Sequence, residues 1–349
     1  MRVVITGATG NVGTSLVEAL SRDPAVESIV GVARRRPEWL VPKTTWVEAD
    51  VGRDDLDPIV EGADAVVHLA WLFQPTHDPL ITWRANALGS IRLFESVGRA
   101  RVPTLVHASS VGAYSPAEGA GPVDETWPTH ALPTAAYGRE KSYVERALDG
   151  FEAQHPGCRV VRLRPGFIFK RESASEQRRL FAGPLLPSFL GRPSFIPVVP
   201  ALPGLQFQAL HTEDAAEAYR LALLRDMRGA FNVAADPVLD PEVLGHLLDA
   251  RPVPVPVTAA RAVMAAAWHL HLIPAEPALL DLALSLPVMD TTRARTELGW
   301  TPRHTATEAI SEFLAGLAAN AGMPTPPLDP AAGGRLRRQE LASGVGERP

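Results

Sequence analysis

The sequence predicts an α/β protein built on a doubly wound sheet of parallel strands, and three observations carry that expectation. Short β-branched runs alternate with helix-like stretches through the first half of the chain. One of those runs, Ala65-Val66-Val67-His68-Leu69, is apolar on consecutive positions rather than alternate ones, as a strand covered on both faces requires. A glycine-rich turn at residues 7–13 follows the first run and opens a helix.

Taken in order, strands are expected at 2–6, 28–33, 45–49, 65–69, 104–108 and 159–163, where valine, isoleucine and threonine suit a pleated surface. Helices are expected between them at 12–20, 54–60, 79–100 and 134–154. A sheet of this kind binds its ligands beyond the carboxyl ends of its strands. After Pro165 the pattern degrades, and residues 170–210, with mixed charge, proline and aromatics, read as loops and short helices. A helix at 213–224 and a strand at 230–233 follow. Pro252, Pro254 and Pro256 then alternate with valine in an extended connector. Further helical stretches are expected at 259–286 and 305–317. From residue 321 onward ten of 29 residues are proline or glycine, which marks the tail as disordered.

Composition excludes several classes. With 349 residues, 46% of them hydrophobic and 21% charged, the chain is globular rather than fibrous or wholly disordered. A formal charge of −5 leaves no basic surplus, so nucleic acid is not expected as a partner. Cys158 stands alone, which excludes an internal disulfide and a cysteine-based zinc site; it reads as a reduced core thiol, and no metal is expected. Arg2 runs straight into Val3-Val4-Ile5 with no leader, and six prolines in 183–205 forbid a membrane-spanning helix there. The expectation is a cytoplasmic protein without a membrane partner.

The turn Gly7-Ala8-Thr9-Gly10-Asn11-Val12-Gly13 supplies glycines where the chain bends sharply and where backbone must approach a pyrophosphate. The helix behind it offers unpaired N–H groups and a favourable dipole. Gly7, Thr9, Gly10, Asn11, Val12 and Gly13 are therefore candidate cofactor contacts, and the sheet reads as Rossmann-type. The second strand ends Ala33-Arg34-Arg35, with no acid to accept from the adenosine ribose. A guanidinium at Arg34 or Arg35 suits a 2′-phosphate instead, which favours NADP over NAD.

Tyr137 and Lys141 stand four apart in a helical stretch and project from one face. The chain has four tyrosines and three lysines, so a Tyr-x-x-x-Lys is expected by chance only about 0.03 times. An ammonium nearby lowers a phenol's pKa, which makes Tyr137 a candidate general acid and base. Ser110 closes the fifth strand, where its hydroxyl can hold a carbonyl or alkoxide oxygen against Tyr137.

In order along residues 1–315, these pieces resemble the extended short-chain dehydrogenase/reductase family of NAD(P)-dependent epimerase/dehydratase type. Besides the glycine turn, they include Asp50-Val51, His68-Leu69-Ala70, Asn86-Ala87-Leu88-Gly89 and Ser109-Ser110-Val111-Gly112-Ala113-Tyr114. Tyr137-Gly138-Arg139-Glu140-Lys141, Arg164-Pro165-Gly166, His211-Thr212-Glu213-Asp214 and Glu297-Leu298-Gly299-Trp300-Thr301-Pro302 complete them. The resemblance implies catalytic roles for Ser110, Tyr137 and Lys141, with Lys141 also on the nicotinamide ribose. It implies that Asp50 and Val51 meet the adenine, that Leu69 and Ala70 line the nicotinamide side, and that Asn86 and Pro165 lie near the cofactor. It implies a dinucleotide-binding domain at 1–165 to which segments around 205–235 return, a smaller, mainly substrate-binding region at 166–318, and a tail at 319–349. A homodimer paired through the helices at 79–100 and 134–154 also follows from it.

The chain departs from nucleotide-sugar members at Leu205-Gln206-Phe207-Gln208, where no cation stands ready for a diphosphate. Trp71, Leu72, Phe73, Phe167, Phe169, Phe189 and Phe195 surround the expected pocket, which suits an apolar small molecule, with residues 183–205 as its cover. Reversible hydride transfer between nicotinamide and a ketone or secondary alcohol is the leading reading. A nucleotide-sugar epimerase or dehydratase with tightly held cofactor, and an NADP-sensing binding protein without turnover, stand beside it.

Overall fold

In this computed structural model the described residues are 1–332, apart from 118, 120 and 188–190, together with 334 and 338. Six strands and their connections form the first half: β1 (Arg2–Thr6), β2 (Ser28–Ala33), β3 (Thr44–Glu48), β4 (Ala65–His68), β5 (Thr104–Ala108) and β6 (Arg159–Pro165). The helices among them are α1 (Asn11–Arg22), α2 (Asp57–Val60), α3 (Pro79–Trp83), α4 (Gly89–Arg99) and α5 (Ala136–Gln154). The second half adds short strands β7 (Phe167–Phe169), β8 (Val198–Ala201) and β9 (Ala209–His211), then β10 (Gly229–Val233) and β11 (Arg251–Pro254). Its helices are α6 (Ala174–Gln177), α7 (Thr212–Leu224), α8 (Pro241–Leu248), α9 (Val257–His269), α10 (Pro277–Ser285), α11 (Thr292–Thr296) and α12 (Ala306–Ala319).

Seven strands pair in the order β10-β6-β5-β4-β1-β2-β3, and every pairing is parallel. The strand order reverses beside β1, so the chain leaves β1 and β4 in opposite directions and opens a crevice at their carboxyl ends. Each face of the sheet has its own core. Leu16, Leu20, Tyr219, Phe231 and Trp300 fill one, and Leu93, Phe94, Val97, Val144 and Leu148 the other. All four residues of β4 are buried, and the one polar member is satisfied: His68 Nδ1 meets the Thr6 hydroxyl at 2.7 Å and Nε2 meets Ser90 at 2.8 Å. Burial draws the His68 pKa down to about 3, so the ring is neutral. Cys158 is buried, and burial pushes its thiol up to about 11.

Several expectations need correction. The stretch 79–100 is helical but not uniformly α: residues Arg84–Leu88 form a π turn between α3 and α4. The region 259–286 divides into α9 and α10, because Pro274 and Pro277 stand at the break. The proline connector at 252–256 begins as β11, which pairs in parallel with β8; prolines are tolerated there because the strand lies at an edge. Residues 321–332, expected as part of a disordered tail, pack as a strap. Leu328 is fully buried, Thr325 nearly so, and Arg179 donates to the carbonyls of Pro327 and Asp329. Composition tallied the prolines but could not see those carbonyl contacts. Residues 333, 335–337 and 339–349 lie outside the described residues. Among the described residues no helix is long and apolar enough to cross a membrane.

Candidate active site

The turn between β1 and α1 is shaped by close approach. Gly7 sits at φ +71°, and a Cβ there would come within 2.7 Å of the Ala70 backbone nitrogen, so the turn rests directly on the segment leaving β4. Gly10 begins α1 with no side chain capping it. The first-turn N–H groups of α1 are therefore left for an anion, at the positive end of the helix dipole. This uncapped terminus beside the crevice fits a dinucleotide pyrophosphate.

A cavity of about 640 Å³ opens over that turn. Gly7, Thr9, Gly10, Asn11, Val12 and Gly13 form its floor. Arg34, Arg35, Asp50 and Val51 line one end, and Leu69, Ala70, Asn86 and Pro165 the middle. Ser110, Tyr137 and Lys141 stand in the wall, so the sequence-derived candidates lie around one space. Beyond Tyr137 the cavity continues between Phe73, Phe181, Met264, Leu279, Leu282 and Pro326. Its cationic lining among the described residues is Arg34, Arg35 and Lys141, and the far half has none. The described residues of 183–205 do not line it: pairing of β8 with β11 draws that segment outward and leaves Phe195 half exposed. Phe189 lies outside the described residues.

Helix α5 presents Tyr137, Lys141 and Glu145 at four-residue intervals along one stripe. The Tyr137 ring lies flat on Phe73, with centroids 5.1 Å apart, and edge-on to Trp71 at 5.9 Å. Gly112 makes room for it, since a Cβ at that position would come within 2.9 Å of the ring. Ser110 accepts from the Gly112 N–H at 3.0 Å and hydrogen-bonds Tyr137. Lys141 Nζ donates to the Ala108 carbonyl at 2.7 Å and sits 3.4 Å above the Trp71 ring.

The electrostatics differ from the sequence expectation. Burial pushes the Tyr137 phenol up to about 12, while the hydrogen bond with Ser110 pulls the other way. Burial pulls Lys141 down to about 7, against the nearby charges of Glu140 and Glu145. The ammonium is turned toward Ala108 and Trp71, 5.9 Å from the Tyr137 ring centre, and desolvation is the largest influence on the phenol.

Several candidates act through neighbours. Asn86 grips the main chain of Leu72 with both ends of its amide, at 2.7 and 2.8 Å, and donates to Glu140 at 2.6 Å. Thr82 donates to the other Glu140 oxygen at 2.7 Å. This buried group fixes the loop that carries Trp71 and Phe73. Asn11 spends its amide on the Ile168 carbonyl and the Thr212 hydroxyl. Under the end of β5, Glu145 is fully buried, accepts from Ser109 at 2.5 Å and pairs with Arg162 and Arg164. Its hydrogen bond with Arg164 leads the influences holding it down at about 2, against desolvation, which acts upward as the largest single one. Sequence reasoning passed over Glu140 and Glu145. The spacing 137-141-145 could have pointed to Glu145; Glu140 gave no signal beyond standing next to Lys141. Elsewhere His211, Glu213 and His304 bring ligand atoms within 4.8 Å of one another. Three of their atoms have partners: His211 Nδ1 accepts from the Glu213 N–H, His211 Nε2 faces Glu312, and His304 Nδ1 meets Asp214.

An uncapped helix over a glycine turn, with tyrosine and lysine in the wall above it, defines a nicotinamide-dinucleotide enzyme. The chain belongs to the NAD dependent epimerase/dehydratase family, whose pattern matches residues 3–234. It is 27% identical over 337 residues to a UDP-glucose 4-epimerase of Azospirillum brasilense, covering 88% of this chain and 89% of the relative. An L-arabinose 1-dehydrogenase (NAD(P)(+)) of Haloferax volcanii is 30% identical over 187 residues, covering 50% of this chain and 70% of the relative. Among solved structures, a UDP-glucose 4-epimerase of Thermotoga maritima with UDP-glucose superposes with a TM-score of 0.69. It shares 19% identity and covers 92% of this chain and 99% of that one, a likeness of fold.

Proposed function

We propose that the protein is an NAD(P)-dependent oxidoreductase that exchanges hydride reversibly with a ketone or secondary alcohol on a largely apolar small molecule, with NADP preferred. The supporting observation is the lining of the cavity around Tyr137 and Ser110, where Phe73, Phe181, Met264, Leu279, Leu282 and Pro326 are apolar, the only lining cations among the described residues are Arg34, Arg35 and Lys141, and the acids are Asp50 and Glu176. A nicotinamide cofactor, when bound, supplies or accepts the hydride. Gly7, Gly10 and the first turn of α1 would hold its pyrophosphate, and Arg34 and Arg35 a 2′-phosphate. In reduction Ser110 holds the carbonyl oxygen and Tyr137 gives it a proton from the phenol. In oxidation the same phenol oxygen takes the proton back. Phe73 and Trp71 fix the ring's angle and keep bulk water from the phenol.

The experiment is a panel of hydrophobic ketones and alcohols assayed with NADPH and NADH, beside Tyr137→Phe. The variant is expected to lose about 10²–10⁴ in turnover while binding cofactor as before. Unchanged turnover refutes the assignment. The name of the Azospirillum relative favours a second reading, a sugar-nucleotide epimerase. That reading predicts a nicotinamide retained through purification and activity on UDP-sugars without added cofactor. Mass spectrometry of small molecules released from the purified protein separates the two.

A further inference from the structure

We infer that Trp71 is a positioning residue for Lys141: its indole face takes the ammonium as a cation–π partner, keeps it charged in a buried place and fixes where it points. Three observations carry this. First, the ammonium sits 3.4 Å above the Trp71 ring while donating to the Ala108 carbonyl at 2.7 Å. Lys141 is 4% exposed, so bulk water is not there to solvate the charge. Tryptophan offers a cation the best of the aromatic faces, and the attraction grows when both groups are desolvated.

Second, the neighbouring carboxylates are committed elsewhere. Glu140 gives one oxygen to Thr82 and the other to Asn86. Glu145 is taken by Ser109, Arg162 and Arg164. Both acids lie on α5 and act on Lys141 upward from a distance, against desolvation. The groups facing it from the sheet, His68 of β4 and His107 of β5, are drawn well down by burial and stay neutral. The Ala108 carbonyl and the Trp71 face are the contacts that meet the charge directly.

Third, the indole is placed by its ring and not by its N–H. Among the described residues Trp71 Nε1 is buried without a hydrogen-bond partner, whereas a buried tryptophan ordinarily finds one. Asn86 holds both main-chain groups of the next residue, Leu72, and the ring stands edge-on to Tyr137. The π turn thus sets the loop, the loop sets the indole, and the indole sets the ammonium. An ammonium has three N–H groups; with Ala108 and the ring taking two, one is left for a ligand hydroxyl. On the proposed function that ligand is the nicotinamide ribose, and this consequence rests on that reading. The hold of Trp71 on Lys141 does not, because the charge of a lysine is measured without turnover.

The test is an NMR titration of the full chain labelled with carbon-13 at the lysine Cε. Lys43, Lys141 and Lys170 give three signals, and the Lys141 signal is the one missing from Lys141→Met. It is expected to titrate at about 7, and Lys170 at about 8. Replacing every tryptophan with 5-fluorotryptophan weakens the negative ring face and nearly keeps its shape. Among the described residues Trp71 is the tryptophan under a cation. The Lys141 midpoint should therefore fall by about 0.3 pH units, roughly twofold in proton affinity, while Lys43 and Lys170 stay in place. In Trp71→Phe the Lys141 midpoint should no longer respond to the fluorinated residue. The inference is overturned if fluorotryptophan leaves the wild-type Lys141 midpoint unmoved, or if the response survives in Trp71→Phe. In turnover, the alkaline fall of kcat should move to lower pH together with the midpoint. A midpoint that moves while the kcat profile stays put supports the hold of Trp71 on Lys141 and counts against the part given to Lys141 in the proposed reaction.

Discussion

Lys141 sets the most direct residue-scale test, because its burial and its charge oppose each other. Its folded pKa lies near 7 against an ordinary 10.5, lowered by desolvation. Below about pH 7 the ammonium is charged in both folded and unfolded chains, and the full cost of burying it falls on folding. Between about pH 7 and 10.5 the unfolded chain binds the extra proton, so stability rises with pH. Lys141→Met should therefore raise the thermal midpoint relative to wild type most below pH 7, and the difference should shrink toward pH 10.5. A difference independent of pH would show that the lysine is not titrating there. Arg34 and Arg35 give a second test: Arg34→Ala/Arg35→Ala should raise KM for NADPH roughly tenfold or more and leave KM for NADH nearly unchanged. Tyr137 and Lys141 were legible as residues because both types are scarce in this chain. The phenol's upward shift was not legible, because it depends on the depth of burial and on where the ammonium points.

At the scale of elements, the π turn between α3 and α4 is the part most tied to function. It carries Asn86, whose amide holds both main-chain groups of Leu72, and π turns commonly mark such sites. Asn86→Ala should cost about 2–3 kcal/mol by leaving the Leu72 N–H and Glu140 short of partners in a buried place. The same variant should lower kcat, since Trp71 and Phe73 ride on that loop; denaturant unfolding and steady-state kinetics on one preparation would check both. The six strands of the first half could be read from β-branched runs because burial on both faces demands such runs. The π turn could not, since one extra residue in a helix leaves the apolar spacing almost unchanged. The β8–β11 pair was hidden for a different reason: alternating proline and valine fits an isolated extended chain as well as an edge strand.

Across the whole molecule the site is assembled from distant parts of the chain. The floor comes from residues 7–13, the wall with Tyr137 and Lys141 from α5, and the far wall from α10 and the strap at 321–332. Lys170, buried and pulled down to about 8 by desolvation, links those parts: its Nζ donates to Thr14 and Ser15 of α1 and lies 3.7 Å from Met323 Sδ. Leu328→Ala should cost about 2–4 kcal/mol. By loosening Pro326 and Pro327 it should raise KM for hydrophobic ketones more than for small water-soluble ones, which a chain-length series of substrates would read. The strap stayed invisible in the sequence because its order comes from contacts with Arg179 and Lys170, some 150 residues earlier, and not from any local pattern.

The stripe of α5 that carries Tyr137 and Lys141 is anchored by Glu145 to two arginines of β6, whereas the surfaces facing the far half of the cavity belong largely to later segments. On the proposed function, proton handling and ligand shape are therefore inherited through separate stretches of chain. A lineage could exchange α9, α10 and the strap, and so acquire a new taste in molecules, while the reacting centre passed down unaltered.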